Sequence, residues 1–234
     1  MGLKDEWRAR KALIAHSKGN YDEAFSEYEA MFAAGTLVNA KYLLPYSVLL
    51  LRKEQYEKAR EVLKKAEKSP GGLDPSQRAL LLTNYAVACY KLGRTEYAIE
   101  LLEEVHRKNP NGNSYATLGY LLVEQGDFEK ALAFNETAVD YDDEDPLALD
   151  NMGQTYYRLG GEEGKKQAKE WFEKAVRFKP DAVDSNYFLA LYDVDAGHYE
   201  AARKKLEICL QGRISPLNYA TRERVQALLD SFPQ

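Results

Sequence analysis

The sequence predicts an all-α solenoid of about six stacked helix hairpins closed by one further helix. Three observations carry the prediction. A small alanine recurs on amphipathic stretches at Ala24, Ala59, Ala98, Ala131, Ala168 and Ala202, with gaps of 35, 39, 33, 37 and 34 residues. Four residues after each comes a larger side chain, in order Tyr28, Leu63, Leu102, Asn135, Phe172 and Leu206. Glycine followed two residues later by an aromatic, at Gly19 and Tyr21, Gly126 and Phe128, and Gly197 and Tyr199, marks tight turns between paired helices. A period of roughly 34 residues is one helix–turn–helix unit, which hides its apolar face only by stacking on neighbours.

The first hairpin, about residues 5–36, places Lys11 and Ala15 where larger apolar residues are expected, as a terminal unit facing water does. The second, 40–72, carries Glu54 in place of the turn glycine and Pro45 inside its first helix. A proline there removes a hydrogen bond, so that helix should kink or start late. The spacer Ser69-Pro70-Gly71-Gly72-Leu73-Asp74 is the expected point of flexure. In the third hairpin, 79–110, Asp74 caps the first helix, Pro75 takes its first position and Gln77 completes a capping box. That helix runs through Leu82, Tyr85, Ala86 and Cys89 to Gly93, and the second buries Ala98, Leu102 and Val105 before Asn109-Pro110.

The fourth hairpin, 112–144, repeats the pattern with Leu118, Gly119, Leu122, Gly126, Phe128, Ala131 and Ala138. The fifth, 146–180, does so with Met152, Gly153, Tyr156, Gly160, Ala168, Phe172, Ala175 and Pro180. Its Gly160-Gly161-Glu162-Glu163-Gly164 holds about three extra residues, read as a lengthened turn. After the sixth hairpin, 183–214, a lone helix over 216–231 carries Thr221, Val225, Leu228, Leu229 and Phe232 on one side, the pattern of a solubilising cap. Residues 1–234 are thus expected to form a single domain.

Composition excludes several classes of function. A net charge of −5 and a pI near 5.4 are poor for non-specific nucleic-acid binding, so no nucleic-acid partner is expected. The longest apolar stretch, Tyr42 to Leu51, is interrupted by Pro45 and Ser47, so no membrane insertion is expected. The N-terminal residues lack the apolar core of a signal peptide, and the expected compartment is the cytoplasm. Cys89 and Cys209 fall in different hairpins at apolar positions and are expected to be buried free thiols. His16, His106 and His198 sit in three different hairpins without ligand spacing and read as surface residues, with no metal or other cofactor expected. The run Asp142-Asp143-Glu144-Asp145 before Pro146 lacks the alternation of a calcium loop and suits helix capping. No nucleophile with a base stands out, so the chain is not expected to be an enzyme.

The alternation of small and large residues with turn glycines resembles the tetratricopeptide repeat (TPR) family over about residues 5–214. The resemblance implies a right-handed α-α superhelix whose concave groove is lined by the first helix of each hairpin and binds other proteins. Carried over position by position, the groove receives Glu6, Arg10, Lys41 and Arg52, then Asn84, Val87, Tyr90 and Lys91. Further along come Tyr120, Glu124, Asp150, Asn151, Gln154, Tyr157, Arg158, Asp184, Tyr187, Phe188 and Asp195.

Two patterns stand out among these residues. Tyr90, Tyr120, Tyr157, Tyr187 and Phe188 form an aromatic stripe beside Asn84, Asn151 and Gln154, a combination suited to gripping an extended peptide. The first three hairpins place Arg10, Lys41, Arg52 and Lys91 against Glu6, while the last three place Glu124, Asp150, Asp184 and Asp195 against Arg158. That segregation would orient a bound segment. The clamp by which some family members hold a terminal carboxylate is not expected, because Leu44, Val48, Ala116, Tyr120 and Phe188 replace its cationic partners. The expected function is a non-catalytic scaffold binding a peptide segment or helix of another protein; self-association as a homodimer is the alternative.

Overall fold

A computed structural model describes residues 2–233 and shows thirteen helices and no strand among them. The chain divides into two compact units, Met1–Val105 and His106–Gln234, and the division falls inside a helix, not at the 69–74 spacer.

The N-terminal unit holds α1 (Leu3–Ser17), α2 (Tyr21–Ala33), α3 (Ala40–Arg52), α4 (Tyr56–Glu67), α5 (Pro75–Lys91) and most of α6 (Thr95–Lys108). Helix α1 packs on α2 and α3 on α4, while α1, α3 and α5 also touch in sequence, so alternate helices form one row. Asp74 and Gln77 form the expected capping box at the start of α5. Ser69 is tied down, its hydroxyl accepting the Ala40 N–H at 2.9 Å. Helix α3 does not start late. Asn39 caps it at Lys41, and the helix passes through Pro45 without a break.

The C-terminal unit takes the end of α6 and then α7 (Gly112–Gln125), α8 (Phe128–Tyr141), α9 (Pro146–Leu159), α10 (Gly161–Phe178), α11 (Val183–Asp195), α12 (Tyr199–Gln211) and α13 (Arg222–Asp230). Its hairpins are α7–α8, α9–α10 and α11–α12, and α7, α9 and α11 form the row of first helices.

The recurring alanines mark the packing face. All six are fully buried, and so are Tyr28, Leu63, Asn135, Phe172 and Leu206 four residues on. Close approach explains two helical glycines. A Cβ on Gly119 would lie 2.1 Å from Asn135 Oδ1, and one on Gly153 would lie 2.5 Å from the Phe172 ring. Such distances leave no room for a methyl group.

At the hairpin turns Gly19, Gly93, Gly126 and Gly197 adopt φ between 75° and 92°. Glu54 stands at the equivalent turn with φ 58°, in the left-handed region that disfavours side chains.

Two boundaries differ from the sequence reading. The extra residues of the fifth hairpin do not lengthen its turn: α9 ends at Leu159 and α10 begins at Gly161, running for 18 residues. Acidic residues Glu162 and Glu163 suit that helix start, so the insertion adds helix. The terminal helix begins at Arg222 and not at 216, because the Thr221 side chain caps the Arg224 N–H. Ahead of it Ser215 and Asn218 close a turn, Ser215 N–H donating to Asn218 Oδ1 at 2.7 Å and Asn218 N–H to Ser215 O at 3.1 Å. Val225 and Phe232 pack with Ala202, Leu206 and Cys209, so the α13 segment does cover α12.

Candidate functional site

On the first-helix row of the N-terminal unit, cations lie over aromatic rings. Arg52 is exposed and sits 4.6 Å from the Tyr21 ring centre, and Lys41 sits 5.5 Å from that of Tyr42. Lys91 is 5.8 Å from Tyr56 and 5.9 Å from Tyr90. The ring faces attract the cations and limit where they can swing. Val87 is buried. Asn84 is also buried, its amide donating to Ser47 Oγ at 3.1 Å, which ties α5 to α3.

In the C-terminal unit the predicted residues divide into a cavity wall and an aromatic cluster. A cavity of about 310 Å³ is walled by Asn113, Thr117 and Tyr120 of α7, Leu147, Asp150 and Asn151 of α9, and Val183 and Asp184 of α11. Its last wall comes from Arg213, Ser215, Leu217 and Asn218, ahead of α13. Asn151 is buried and donates to Ala116 O at 2.9 Å, joining α9 to α7.

Asp150 and Asp184 of the cavity wall belong to a buried polar network. Gln154 Nε2 donates to Asp150 Oδ2 at 2.7 Å and reaches Asp184 Oδ2 at 3.4 Å, while the Ser185 hydroxyl donates to Asp150 Oδ1. Asp184 Oδ1 accepts the Ala220 N–H at 2.9 Å and its Oδ2 accepts the Tyr219 N–H at 3.0 Å. Burial, followed by the neighbouring Asp184 charge, pushes the Asp150 carboxyl well above the usual range. Burial also raises Asp184, against the opposing pull of the two backbone N–H groups. By their repeat positions these carboxylates are expected to be groove charges. They are instead interior ties between α9, α11 and the segment that follows α12. Glu124 is also engaged, in an ion pair with Arg158.

The aromatic cluster is partly filled by the chain itself. Phe188 is buried, stacked on Phe172 at 4.8 Å and 3° and on Tyr219 at 5.1 Å and 25°. Tyr157 packs 4.9 Å from Phe188, and Tyr187 lies 6.0 Å from Tyr219. Arg158 and Arg224 sit over the Tyr219 ring at 5.1 Å and 4.2 Å. The sequence does not single out Tyr219, because the pattern over 216–231 reads as one helix. Pro216 and Asn218, both turn formers, were the available signal.

Two histidines differ from the surface reading. His106 is half-buried between Tyr115 and Phe134, with Nδ1 3.0 Å from Ser114 Oγ, and burial lowers its pKa. His16 is lowered by burial and by the Arg52 charge. Cys89 and Cys209 are buried free thiols. Asp145 caps α9 at Leu147, as the acidic run implied. Among the described residues no three metal-ligating side chains come together, and no helix is long and apolar enough to cross a membrane.

A family model described as tetratricopeptide repeat matches residues 10–75 and 116–183, and a second of the same description matches 50–119. No curated protein matches the sequence. Among solved structures the chain is similar to TTC0263, a thermophilic TPR protein of Thermus thermophilus. That likeness has 19% identity, covers 82% of this chain and 97% of that one, and has a TM-score of 0.63. It is similar to YrrB, described as a TPR protein with an unusual peptide-binding site, at 21% identity, coverages of 75% and 86%, and a TM-score of 0.51. MamA of Desulfovibrio magneticus matches at 22% identity, coverages of 74% and 93%, and a TM-score of 0.50. These likenesses establish the solenoid fold.

Proposed function

The chain belongs to the tetratricopeptide repeat family, and from that premise we propose that it is a non-catalytic scaffold binding a segment of another protein on its first-helix rows. One observation carries the proposal. The C-terminal unit already holds an irregular segment of its own against those helices. Asp184 grips the backbone at Tyr219 and Ala220, and Phe188 stacks on the Tyr219 ring. A surface that accepts backbone donors and one aromatic ring has the chemistry to accept a further segment. The adjoining cavity of about 310 Å³ offers the space, with Tyr120, Leu147 and Val183 as apolar contacts. The peptide-binding site ascribed to YrrB supports the same reading by analogy.

In the N-terminal unit the ring-held cations Arg52, Lys41 and Lys91 favour an acidic segment. Tyr90 supplies contact area there, and the buried Val87 and Asn84 hold the frame. In the C-terminal unit the contacts fall to Tyr120, Tyr157 and the exposed edges of Arg158 and Glu124. Asn151, Gln154, Tyr187 and Phe188 act from beneath as supports. Selection of a displayed peptide library on the intact chain tests the proposal. Selected peptides should lose at least tenfold in affinity to chains carrying Tyr120→Ala or Leu147→Ala, or, for acidic peptides, Arg52→Gln with Lys91→Gln. Peptides that bind all of these variants equally well would refute the site.

A further inference from the structure

Helix α1 presents a face that no other part of the described chain covers. Its packing side is made of the buried Ala9, Ala12 and Ala15, and Arg8 and Lys11 anchor it to Glu27 and Glu23 of α2. Away from that side Leu3 is 94% exposed, Trp7 69% and Ile14 46%. At 3.6 residues per turn these three fall within roughly 40° of one another, a single apolar row along the helix. Exposed cations border it: Lys4, Lys11 and Lys18 recur every seventh residue along one flank, and Arg10 lies in the row. Lys4, Arg10 and Lys18 form no ion pair among the described residues. Of the acids on α1, Asp5 falls on the packing side and Glu6, held by the Tyr42 hydroxyl, on the flank opposite the lysines, while Asp22 of α2 pairs with Lys53.

A large indole and two aliphatic chains held in water beside a line of lysines are the recipe of an interfacial helix. We infer that this face of α1 adsorbs to an anionic lipid surface. Trp7, Leu3 and Ile14 would enter the headgroup boundary while the lysines and Arg10 meet lipid phosphates. Charge complementarity selects this occupant, because Lys4, Arg10 and Lys18, exposed and without an ion-pair partner among the described residues, attract an anionic surface. Area argues against a second copy of the chain. The three side chains expose on the order of a few hundred Å², short of the ~800 Å² per partner of a stable protein interface. A bilayer needs no reciprocal patch. Adsorption of a helix face is also distinct from spanning, for which the chain has no helix among the described residues. The inference rests on the N-terminal unit alone and is independent of segment binding.

The chain has two tryptophans, Trp7 and Trp171, so Trp171→Phe leaves Trp7 as the sole reporter. With vesicles of phosphatidylglycerol and phosphatidylcholine, Trp7 emission should shift to the blue and be quenched by brominated lipid. Pure phosphatidylcholine should give at least tenfold weaker partitioning, and added salt should weaken the anionic binding. Co-sedimentation of the unaltered chain should agree. Trp7→Ala should abolish binding with circular dichroism unchanged, and Lys4→Gln and Lys18→Gln should each weaken it roughly fivefold. Emission unmoved by anionic vesicles, or equal partitioning into both vesicle types, would overturn the inference. So would a blue shift that grows with protein concentration in the absence of lipid, since that would assign the face to a second copy.

Discussion

The ring of Tyr219 lies on that of Phe188, with centroids 5.1 Å apart and 25° between the planes, although the two residues belong to segments separated by a whole hairpin helix. The stack joins the stretch before α13 to the row of first helices. It is reinforced by the two backbone N–H groups that Asp184 accepts and by the guanidinium groups of Arg158 and Arg224 over the ring.

Removing that ring should therefore loosen the C-terminal unit. Tyr219→Ala is expected to cost about 2 kcal/mol, from the stacked contact together with lost apolar burial. Tyr219→Phe should retain most of this, since the ring makes the contacts. Urea denaturation of both variants checks it; equal losses would assign the stability to the phenol oxygen instead.

Asp150 should make the unit more stable in mild acid than at neutral pH. Burial beside Asp184 pushes its carboxyl from the ordinary 3.8 up to about 7, so the folded chain holds a proton that the unfolded chain has released. Between those values folding takes up protons, and stability falls as pH rises from about 4 through about 7. Asp150→Asn removes the charge, keeps an acceptor oxygen for the Ser185 hydroxyl and can donate to Gln154 Oε1 once that amide flips, and should flatten this part of the profile while raising stability at pH 8. A profile identical to the parent's would contradict the assignment.

The two crowded glycines reverse the usual sign of a helical Gly→Ala change, which alone gains up to ~1 kcal/mol. Gly153→Ala would drive a methyl into the Phe172 ring and Gly119→Ala into the Asn135 amide, at 2.5 and 2.1 Å. Each should cost about 1–3 kcal/mol in thermal or chemical denaturation. A gain at either site would show that the hairpins stand further apart.

Glu54 offers the opposite case. Its left-handed φ of 58° occupies a turn where sister hairpins use glycine. Glu54→Gly should stabilise the N-terminal unit by up to ~1 kcal/mol, the relief of backbone strain exceeding the added freedom of the unfolded chain. A lower melting temperature would mean that the Glu54 side chain contributes more than its backbone costs.

The hairpins were legible because alanine period, turn glycine and capping box all report local geometry that a few residues decide. Asp74 with Gln77 and Pro75 declared the start of α5 outright. The surface was less legible because exposure depends on what distant segments cover. Asp150, Asp184 and Gln154 sit at first-helix positions that the repeat pattern leaves open, yet Ser185 and the backbone at Tyr219 and Ala220 close over them. Asn84 and Asn151 read as groove amides for a bound peptide, whereas they are buried as ties to Ser47 and Ala116, since that choice depends on the spacing between hairpins. The insertion at 160–164 looked like a loop because of its glycines, and Gly161 instead opens α10.

The central claim is that the first-helix row of the C-terminal unit receives a segment of another protein. Amide chemical-shift mapping of the labelled chain with a library-selected peptide that is sensitive to Tyr120→Ala tests it most directly. The account predicts perturbations clustered around Thr117, Tyr120, Leu147, Asn151 and Val183, the wall of the cavity. Perturbations confined to α8, α10 and α12 would contradict it.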